Sequence, residues 1–486
     1  VAISVMGKLS NSIIYIPNLT ADNGKHFGAV TRDYKSSKPW EINNVYVVGN
    51  ADGVAIAREA DRIGVDCSFY FKSLKEFNEA EKNYSEFNTD IWNMTGYDVP
   101  VFKTYNGTNI VKKVIGENAK KLLVSKADQV SFVDLSLDIT GVNAVTIENL
   151  KIEYEFDPSN KTLKVQSADF ADIANGEYVM VLNADEGLFR LGVIVADKVI
   201  KTEEEFLNLF NYLTISVSGD LSIITMDGYI AIGADLDFSS MSQSEYNAVR
   251  GVSISGNPAT TEKGRGFGFA SYLDESVITT EQLKKFESVT NYGGTNGFIG
   301  TIDGQGHSIK GLQIASWGIF PAVGINGTIK NLAFTDTSLG AVYSYVLSGN
   351  NFYGTLDNCL IDVKTVHAGE QIRMFKLFGG TLKNSIVYIP VLGDGTNATS
   401  AAIGYKSTQR EYTITNAYVI GTENVVAIRK TKGDTSIVTN EYYTSIEKFN
   451  EAEKDYRGFN AEIWDFIGYE IPVFKTYNGT NITKKA

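Results

Sequence analysis

The stretch GTIDGQGHSIKGL at residues 300–312 opens with Gly-Thr and an aliphatic residue, and this opening returns at a nearly constant interval. Further copies begin at residues 327, 354 and 380, which are 27, 27 and 26 residues apart, and read GTIKNLAF, GTLDNCLI and GTLKNSIV. Related units read YTITNAYVI at 412–420, GKLSNSII at 7–14 and EINNVYVV at 41–48. Such a period is typical of a solenoid, in which stacked coils bury one continuous core that no single coil could form.

Each unit carries an asparagine two residues after its aliphatic position. The members of this series are Asn331, Asn358, Asn384 and Asn416, and equivalently Asn11 and Asn44. Alternation along a short strand places side chains on opposite faces, and asparagine tolerates the left-handed backbone region of a tight corner. We therefore predict a parallel β-helix whose coils stack these asparagines into a ladder at one corner. A row of ligand-binding amides is the alternative.

A longer repeat encloses the short one. PVFKTYNGTNI occurs at residues 100–110 and again at 472–482, and the similarity extends outward until residues 1–113 repeat residues 370–485. The simplest interpretation is a module of about 372 residues that recurs in a larger protein, so that the chain begins inside a structural element. An N-terminal half-module closed by a full one is the alternative.

Residues 114–198 have a different pattern, with successive alternating strands separated by turn signals such as Asn175-Gly176. We predict an immunoglobulin-like β-sandwich here. The predicted domains are therefore 1–113, the C-terminal part of a β-helix module with its cap, then 114–198, and then 199–486, a complete β-helix module with an N-terminal helix and a C-terminal cap.

Capping boxes predict short helices after Ser73, Thr202 and Thr444, each of which lies three residues before a glutamate. The aromatic residues assigned to the caps are Trp92, Trp464, Phe102 and Phe474.

Composition limits the class of protein. The 486 residues carry a formal net charge of −13, with lysine and arginine scattered. This charge argues against nucleic-acid binding, which requires a dense cationic footprint, and no run of 18 apolar residues is long enough for membrane insertion. The two cysteines, Cys67 and Cys359, are too few for a disulfide scaffold or a structural zinc site.

Three successive segments resemble the GLUG-type β-helix repeats of bacterial surface proteins, especially from Firmicutes. They are GYIAIGADLDF (228–238), GFIGTIDGQGHSIKGL (297–312) and GIFPAVGINGTIKNLAF (318–334). DKVIKTEEEFLNLF at 197–210 resembles the helix that often precedes such repeats. The resemblance covers roughly residues 197–486 and 1–113. It implies a β-helix of the bacterial cell surface, in a family that includes adhesins, surface-layer-like proteins and accessory regions of enzymes.

Candidate chemistry centres on His307, because GQGH is similar to the Gly-His elements of β-helical polysaccharide hydrolases. Those enzymes require carboxylates on one face of adjacent coils. Asp303 lies four residues before His307, and the period places Asp357 two coils further on. The same turn is a recurring structural element of the GLUG-type family. We therefore expect Asp303 and His307 to be structural, with catalysis as the alternative.

Two other features are candidates for binding. The acid pairs Asp235/Asp237 and Asp134/Asp138 could bind Ca²⁺, although they lack the glycine and the distal glutamate of a dedicated loop. The least repetitive segment is the insertion at residues 239–296. Long insertions in solenoids lie on one side and often bind ligands, so a binding surface is expected there. Its candidate ligand-binding residues are Arg250, Lys263, Arg265, Tyr272 and Tyr292.

The sequence thus favours a non-catalytic extracellular repeat protein of a bacterial surface, acting in adhesion, surface display or assembly of a fibre or lattice. Its expected partners are copies of itself and host or glycan surface ligands, with no cofactor except the calcium alternative. A β-helical polysaccharide-degrading enzyme and a phage fibre or spike protein are the alternative functions.

Overall fold

A computed structural model describes residues 8–18, 27–33, 41–51, 53–58, 64–65, 70–148, 150–217, 224–241, 297–314, 318–320, 322–339, 343–366, 371–390, 401–423, 425–429 and 442–485. The chain divides into two compact units. Unit 1 comprises Val1–Leu122, Phe132–Asp169 and Glu177–Val193; unit 2 comprises Leu123–Ser131, Phe170–Gly176 and Ile194–Ala486. The domain boundaries at 113/114 and 198/199 remain predictions.

Unit 2 contains two long parallel sheets built from one short strand per coil. We call each sheet a face of the solenoid. The first face has seven strands, in the order Lys198–Ile200, Tyr229–Ile232, Thr301–Asp303, Thr328–Lys330, Thr355–Asp357, Thr381–Lys383 and Thr413–Thr415. The second face runs through Leu236–Asp237, Ser308–Lys310, Ala333–Leu339, Leu360–Val366, Ile386–Tyr388, Tyr418–Ile420 and Tyr442–Tyr443, with Gln313–Ile314 also paired to Ala333–Leu339. Every pairing between neighbouring coils on these faces is parallel, which confirms the predicted parallel β-helix.

A third face completes the coils. Its four parallel strands are Tyr343–Phe352, Gln371–Phe378, Ala401–Lys406 and Val426–Arg429. A smaller three-stranded sheet holds Thr214–Val217, Ile224–Asp227 and Gly297–Phe298.

The inward positions of the three faces form one apolar core. Ile302, Ile329, Leu356 and Leu382 are in register on the first face, and Ile309, Phe334, Ile361, Val387 and Val419 are in register on the second. On the third face, the rings of Phe352 and Phe375 stack with their centroids 4.0 Å apart. Because full burial of one such side chain stabilises a fold by about 1.5–3 kcal/mol, the stack is stable only when several coils are present.

The recurring Gly-Thr has a steric reason. A Cβ on Gly354 would lie 2.2 Å from the carbonyl oxygen of Gly327, and one on Gly380 would lie 2.4 Å from that of Gly354. The same carbonyl of Gly327 accepts a hydrogen bond from the Thr355 N–H at 2.8 Å. Glycine is therefore required wherever the backbone of one coil approaches the next so closely.

The asparagine series lies in the left-handed backbone region. The φ angles are 46° at Asn11, 56° at Asn44, 54° at Asn331, 51° at Asn358, 50° at Asn384 and 50° at Asn416. In unit 1, the Asn44 side-chain amide donates to Asn11 Oδ1 at 3.0 Å. In unit 2, the amides of Asn331 and Asn384 donate instead to Asp303 and Asp357 at 3.0 and 2.9 Å. These residues therefore make the turn between the first and second faces, and Asp303 and Asp357, at the ends of first-face strands, accept hydrogen bonds from the asparagine of the next coil.

Replacing Asn384 with alanine should destabilise unit 2 by about 1–2 kcal/mol, because a Cβ without a polar side chain is strained at positive φ. Asn384→Gly is the matched control, because glycine also loses the bond to Asp357 but adopts this φ without strain. Urea denaturation should therefore rank the glycine variant as the more stable of the two. The reverse order would contradict a conformational role for the corner asparagine.

Unit 1 begins with parallel strands that repeat those of the solenoid. Lys8–Tyr15, Glu41–Val48 and Tyr70–Phe71 form one parallel sheet. In another, Phe27–Asp33 pairs in parallel with Gly53–Arg58, which pairs antiparallel with Gly64–Val65. Trp92–Asn93 and Val101–Phe102 follow as an antiparallel pair.

Antiparallel strands occupy the middle of the chain, as predicted. Their bounds are Val114–Glu117, Leu122–Ser125, Val130–Asp134, Val142–Ile147, Leu150–Lys151, Tyr154–Asp157, Thr162–Gln166, Gly176–Ala184 and Leu188–Ala196. Val142–Ile147 pairs antiparallel with both Leu150–Lys151 and Gly176–Ala184, and Tyr154–Asp157 pairs with Thr162–Gln166. The pairing of Val114–Glu117 with Leu188–Ala196 is parallel. The immunoglobulin-like assignment remains a prediction.

The helices are short. They are Leu74–Glu79, Glu203–Leu207 and Ile446–Glu451, with 3₁₀ turns at Ser167–Phe170 and Leu209–Tyr212. Ser73 and Thr202 cap their helices by accepting from the N–H of the residue three positions on, as predicted. The prediction for Thr444 was wrong, because Ser445 is the cap and accepts from the Lys448 N–H at 3.2 Å. Within the described part of the chain, no helix has the length and apolar character needed to cross a membrane.

Candidate functional surfaces

Asp303 is fully buried and its carboxylate is occupied by structural contacts. Its oxygens accept hydrogen bonds from the Tyr229 hydroxyl at 3.0 Å and from the Asn331 amide at 3.0 Å. The Lys330 ammonium lies 3.0 Å from Oδ2. The lone pairs of this carboxylate are thus used to join its own coil to both neighbouring coils.

His307 is paired with an aspartate that sequence reasoning did not assign to it. Its Nδ1 lies 3.2 Å from Asp235 Oδ1, and the same oxygen accepts from the Ser308 N–H at 2.8 Å. Asp357, the third member of the proposed hydrolase set, lies 3.1 Å from the Lys383 ammonium. The structure therefore places Asp303 and Asp357 in one column of the first face, with Lys330 between them, and His307 beside a different carboxylate.

The outer side of the first face carries two regular rows. Thr301, Thr328, Thr355, Thr381 and Thr413 form one row, each paired in register with the next, and Asp303, Lys330, Asp357 and Lys383 form the other. Opposite charges on adjacent strands favour this register, whereas a register that placed like charges side by side would be penalised. Sequence reasoning missed the charged row, although the third residue of TID, TIK, TLD and TLK alternates in sign.

The remaining candidates are placed as follows. Arg250, Lys263, Arg265, Tyr272 and Tyr292 lie outside the described residues, and so does Cys67. Asp237 and Asp138 form ion pairs with Lys310 at 3.3 Å and Lys161 at 2.9 Å. Within the described residues, no group of three or more His, Cys, Asp or Glu side chains is arranged to hold a metal ion.

The C-terminal segment lies along the outer side of the second face. We call residues 445–485 the second strap and the equivalent residues 73–113 the first strap. The second strap buries the outward side chains of the second face in one cluster, whose members are Ala333, Leu360, Ile386, Tyr388, Tyr418, Ile420, Phe449, Phe459, Trp464, Ile471, Val473, Phe474, Tyr477 and Ile482. It runs back from the last coil as far as the coil of Ser308, where Thr476 Oγ1 donates to the Gly306 carbonyl at 2.7 Å. It thus lies along six strands of the second face, from Tyr442–Tyr443 back to Ser308–Lys310.

Two aspartates of the coils hold the second strap. Asp336, at a φ of 49°, accepts from the backbone N–H groups of Thr480 and Asn481 at 2.8 and 3.0 Å. Asp362 accepts from the Tyr477 hydroxyl at 3.0 Å and from the Asn481 amide at 2.6 Å. Burial raises the pKa of Asp362 to about 6, even though these hydrogen bonds favour its ionised form.

The contact between the second strap and these two aspartates was not predicted from the sequence. Its signal in the sequence is that TYNGTN is copied without change in both straps, although five of its six positions carry polar side chains of no evident function. The aspartates that it contacts lie outside the long repeat and 115 or more residues earlier in the chain.

No protein-family model matches the chain, and comparisons with curated proteins and with solved structures find no match either.

Proposed function

We propose that the protein is a non-catalytic repeat protein of a bacterial cell surface, which acts in adhesion, surface display or assembly into a fibre or lattice. The observation that carries the proposal is the repetition of residues 1–113 in 370–485. Repetition of a whole structural module adds copies of one surface to a chain, which increases avidity without any new contact.

The first face offers a surface suited to this role. Its threonine row runs through five successive strands and its row of alternating aspartate and lysine through four, and strands of a sheet lie about 4.8 Å apart. A regular polar array of this kind is suited to a repeating ligand, such as a surface glycan, or to another protein surface with the same spacing. The resemblance to GLUG-type repeats supports the extracellular location.

Immunogold electron microscopy of intact cells that produce the protein tests the proposed location. Antibodies raised against the purified chain should label the outer surface without permeabilisation. Labelling that appears only after permeabilisation would contradict the proposal.

Release of reducing ends from a panel of polysaccharides, including polyuronides, tests the absence of catalysis. The expected result is no release above that of heat-inactivated protein. Turnover that is lost in Asp303→Asn but retained in Asp237→Asn would instead support the polysaccharide-degrading alternative.

A further inference from the structure

The first strap is fastened to the hairpin turn at residues 184–187. The Leu188 N–H donates to the Lys113 carbonyl at 2.7 Å. The Asn93 side-chain amide donates to the Asp185 carbonyl at 3.0 Å. Because the turn and the strap are bonded on both sides of this contact, the side chains that lie between them are held at a fixed separation.

Lys112 directs its amine at the side chain of Asn183, the residue before this turn. Its Nζ lies 2.5 Å from Asn183 Oδ1 and 2.7 Å from the Ala184 carbonyl oxygen. The ring of Tyr97 lies over the amine, with its centroid 5.3 Å from Nζ. Because a carbonyl bond is about 1.2 Å long, the carboxamide carbon of Asn183 lies within about 3.7 Å of Nζ, close to the separation of about 3–3.5 Å from which oriented groups react.

The amine of Lys112 loses its proton more readily than that of an exposed lysine. Burial lowers the pKa of Lys112, although the charges of Asp185 and Glu186 act in the opposite direction. For Lys198, burial acts in the same direction, but hydrogen bonds to two carboxylates outweigh it and raise the pKa. A neutral amine has the lone pair that a nucleophile requires, so Lys112 is the better nucleophile of the two.

Glu186 supplies a carboxyl for proton transfer at the same turn. Its Oε1 accepts from the Thr140 N–H at 3.0 Å and from the Thr140 hydroxyl at 2.6 Å, which holds the side chain in place. Its Oε2 is buried and has no hydrogen-bond partner within the described part of the chain. A carboxyl oxygen placed in this way is suited to accept a proton from an amine and to return it to a leaving group.

We propose that Lys112 and Asn183 form an intramolecular isopeptide bond, with Glu186 as the proton carrier. The lone pair of Nζ attacks the carboxamide carbon of Asn183 and forms the new C–N bond. Glu186 takes a proton from Nζ and delivers it to the amide nitrogen, whose bond to the carbon then breaks. The products are a secondary amide and one molecule of ammonia, so the reaction requires no oxidant, reductant or cofactor.

The bond joins the first strap covalently to the antiparallel strands of unit 1. It closes a ring between two positions that are 71 residues apart, so the unfolded chain has fewer conformations than an uncrosslinked chain. This crosslink goes beyond the function proposed above, and it forms whether or not the protein acts in adhesion.

Mass spectrometry of the intact, denatured full-length protein tests the bond. The expected mass is lower than that of the sequence by one ammonia. Lys112→Arg and Asn183→Ala should each have the full mass of their own sequence, because either change removes one of the joined groups. Lys484→Arg is the matched control and should retain the loss of ammonia, since Lys484 is the equivalent of Lys112 and lies over Tyr469 at 5.6 Å in the same way.

Tryptic peptide mapping of the parent protein locates the bond. Loss of ammonia alone is not sufficient, because a succinimide at a pair such as Asn106-Gly107 gives the same mass. The isopeptide bond should give one branched peptide that contains both Lys112 and Asn183, without cleavage after Lys112. This readout uses the parent protein alone, so it does not depend on whether a variant folds.

Glu186→Gln tests the proton carrier. Freshly purified Glu186→Gln protein should contain chains of full mass that lose ammonia more slowly than the parent, with a circular dichroism spectrum that matches the parent. Equally complete crosslinking of this variant would exclude Glu186 as the proton carrier. A parent protein of full sequence mass, or one whose Lys112 and Asn183 peptides separate on mapping, would overturn the isopeptide bond itself.

Discussion

Phe474→Ala is expected to lower the free energy of unfolding of unit 2 by about 3–5 kcal/mol, whereas Phe102→Ala should cost unit 1 about 1 kcal/mol or less. The two residues occupy the same place in an identical stretch of eleven residues. Any difference between the two losses therefore arises from tertiary surroundings and not from local sequence.

The physical reason is the coverage of each ring. Phe474 is fully buried and meets Trp464 at a centroid distance of 4.8 Å, within the cluster that covers the second face. Removing the ring leaves a cavity in addition to the lost transfer free energy. Phe102 also contacts its tryptophan, Trp92, at 4.5 Å, but half of its surface already faces solvent.

Urea denaturation of the full chain, followed by tryptophan fluorescence, measures both losses. Trp464 lies beside Phe474 and Trp92 beside Phe102, so each variant perturbs a transition that a neighbouring tryptophan reports. Equal shifts of the two midpoints would contradict the unequal burial. They would indicate that the coils of the second face do not contribute to the stability of the second strap.

The solenoid could be predicted from the sequence because its determinants are local. Gly354 is required by a carbonyl one coil away, and Asn384 by its own positive φ, and both requirements recur with every coil. A requirement that recurs at a fixed period is visible in a single sequence.

The path of the second strap could not be predicted in this way. Thr480 meets Asp336 across 144 residues, and that contact occurs once in the chain. The long repeat predicts that the strap is a structural unit, but the pattern of the strap does not indicate which side of which coils it covers. The same limit applies to His307, because the insertion between it and Asp235 separates the pair by 72 residues and breaks the 27-residue period.

The second strap should also make stability depend on pH through Asp362. Burial raises the pKa of this carboxyl from 3.8 to about 6, so the folded protein holds a proton between about pH 4 and 6 that the unfolded chain releases. The stability that this group contributes is therefore fully present below about pH 4 and is lost as the pH rises through 6. The shift in pKa corresponds to a change of about 3 kcal/mol in the free energy of unfolding.

Asp362→Asn isolates this contribution, because the amide is close in shape and does not ionise. The stability of the parent relative to Asp362→Asn, from urea midpoints between pH 4 and 7, should fall by up to about 3 kcal/mol as the pH rises. Asp138→Asn is the control, because Asp138 is exposed and forms an ion pair with Lys161 in unit 1. A stability difference that is constant over this range would show that Asp362 remains ionised in the fold. In that case the hydrogen bonds from Tyr477 and Asn481 would outweigh the cost of burying the charge, and the second strap would hold equally well at pH 4 and pH 7.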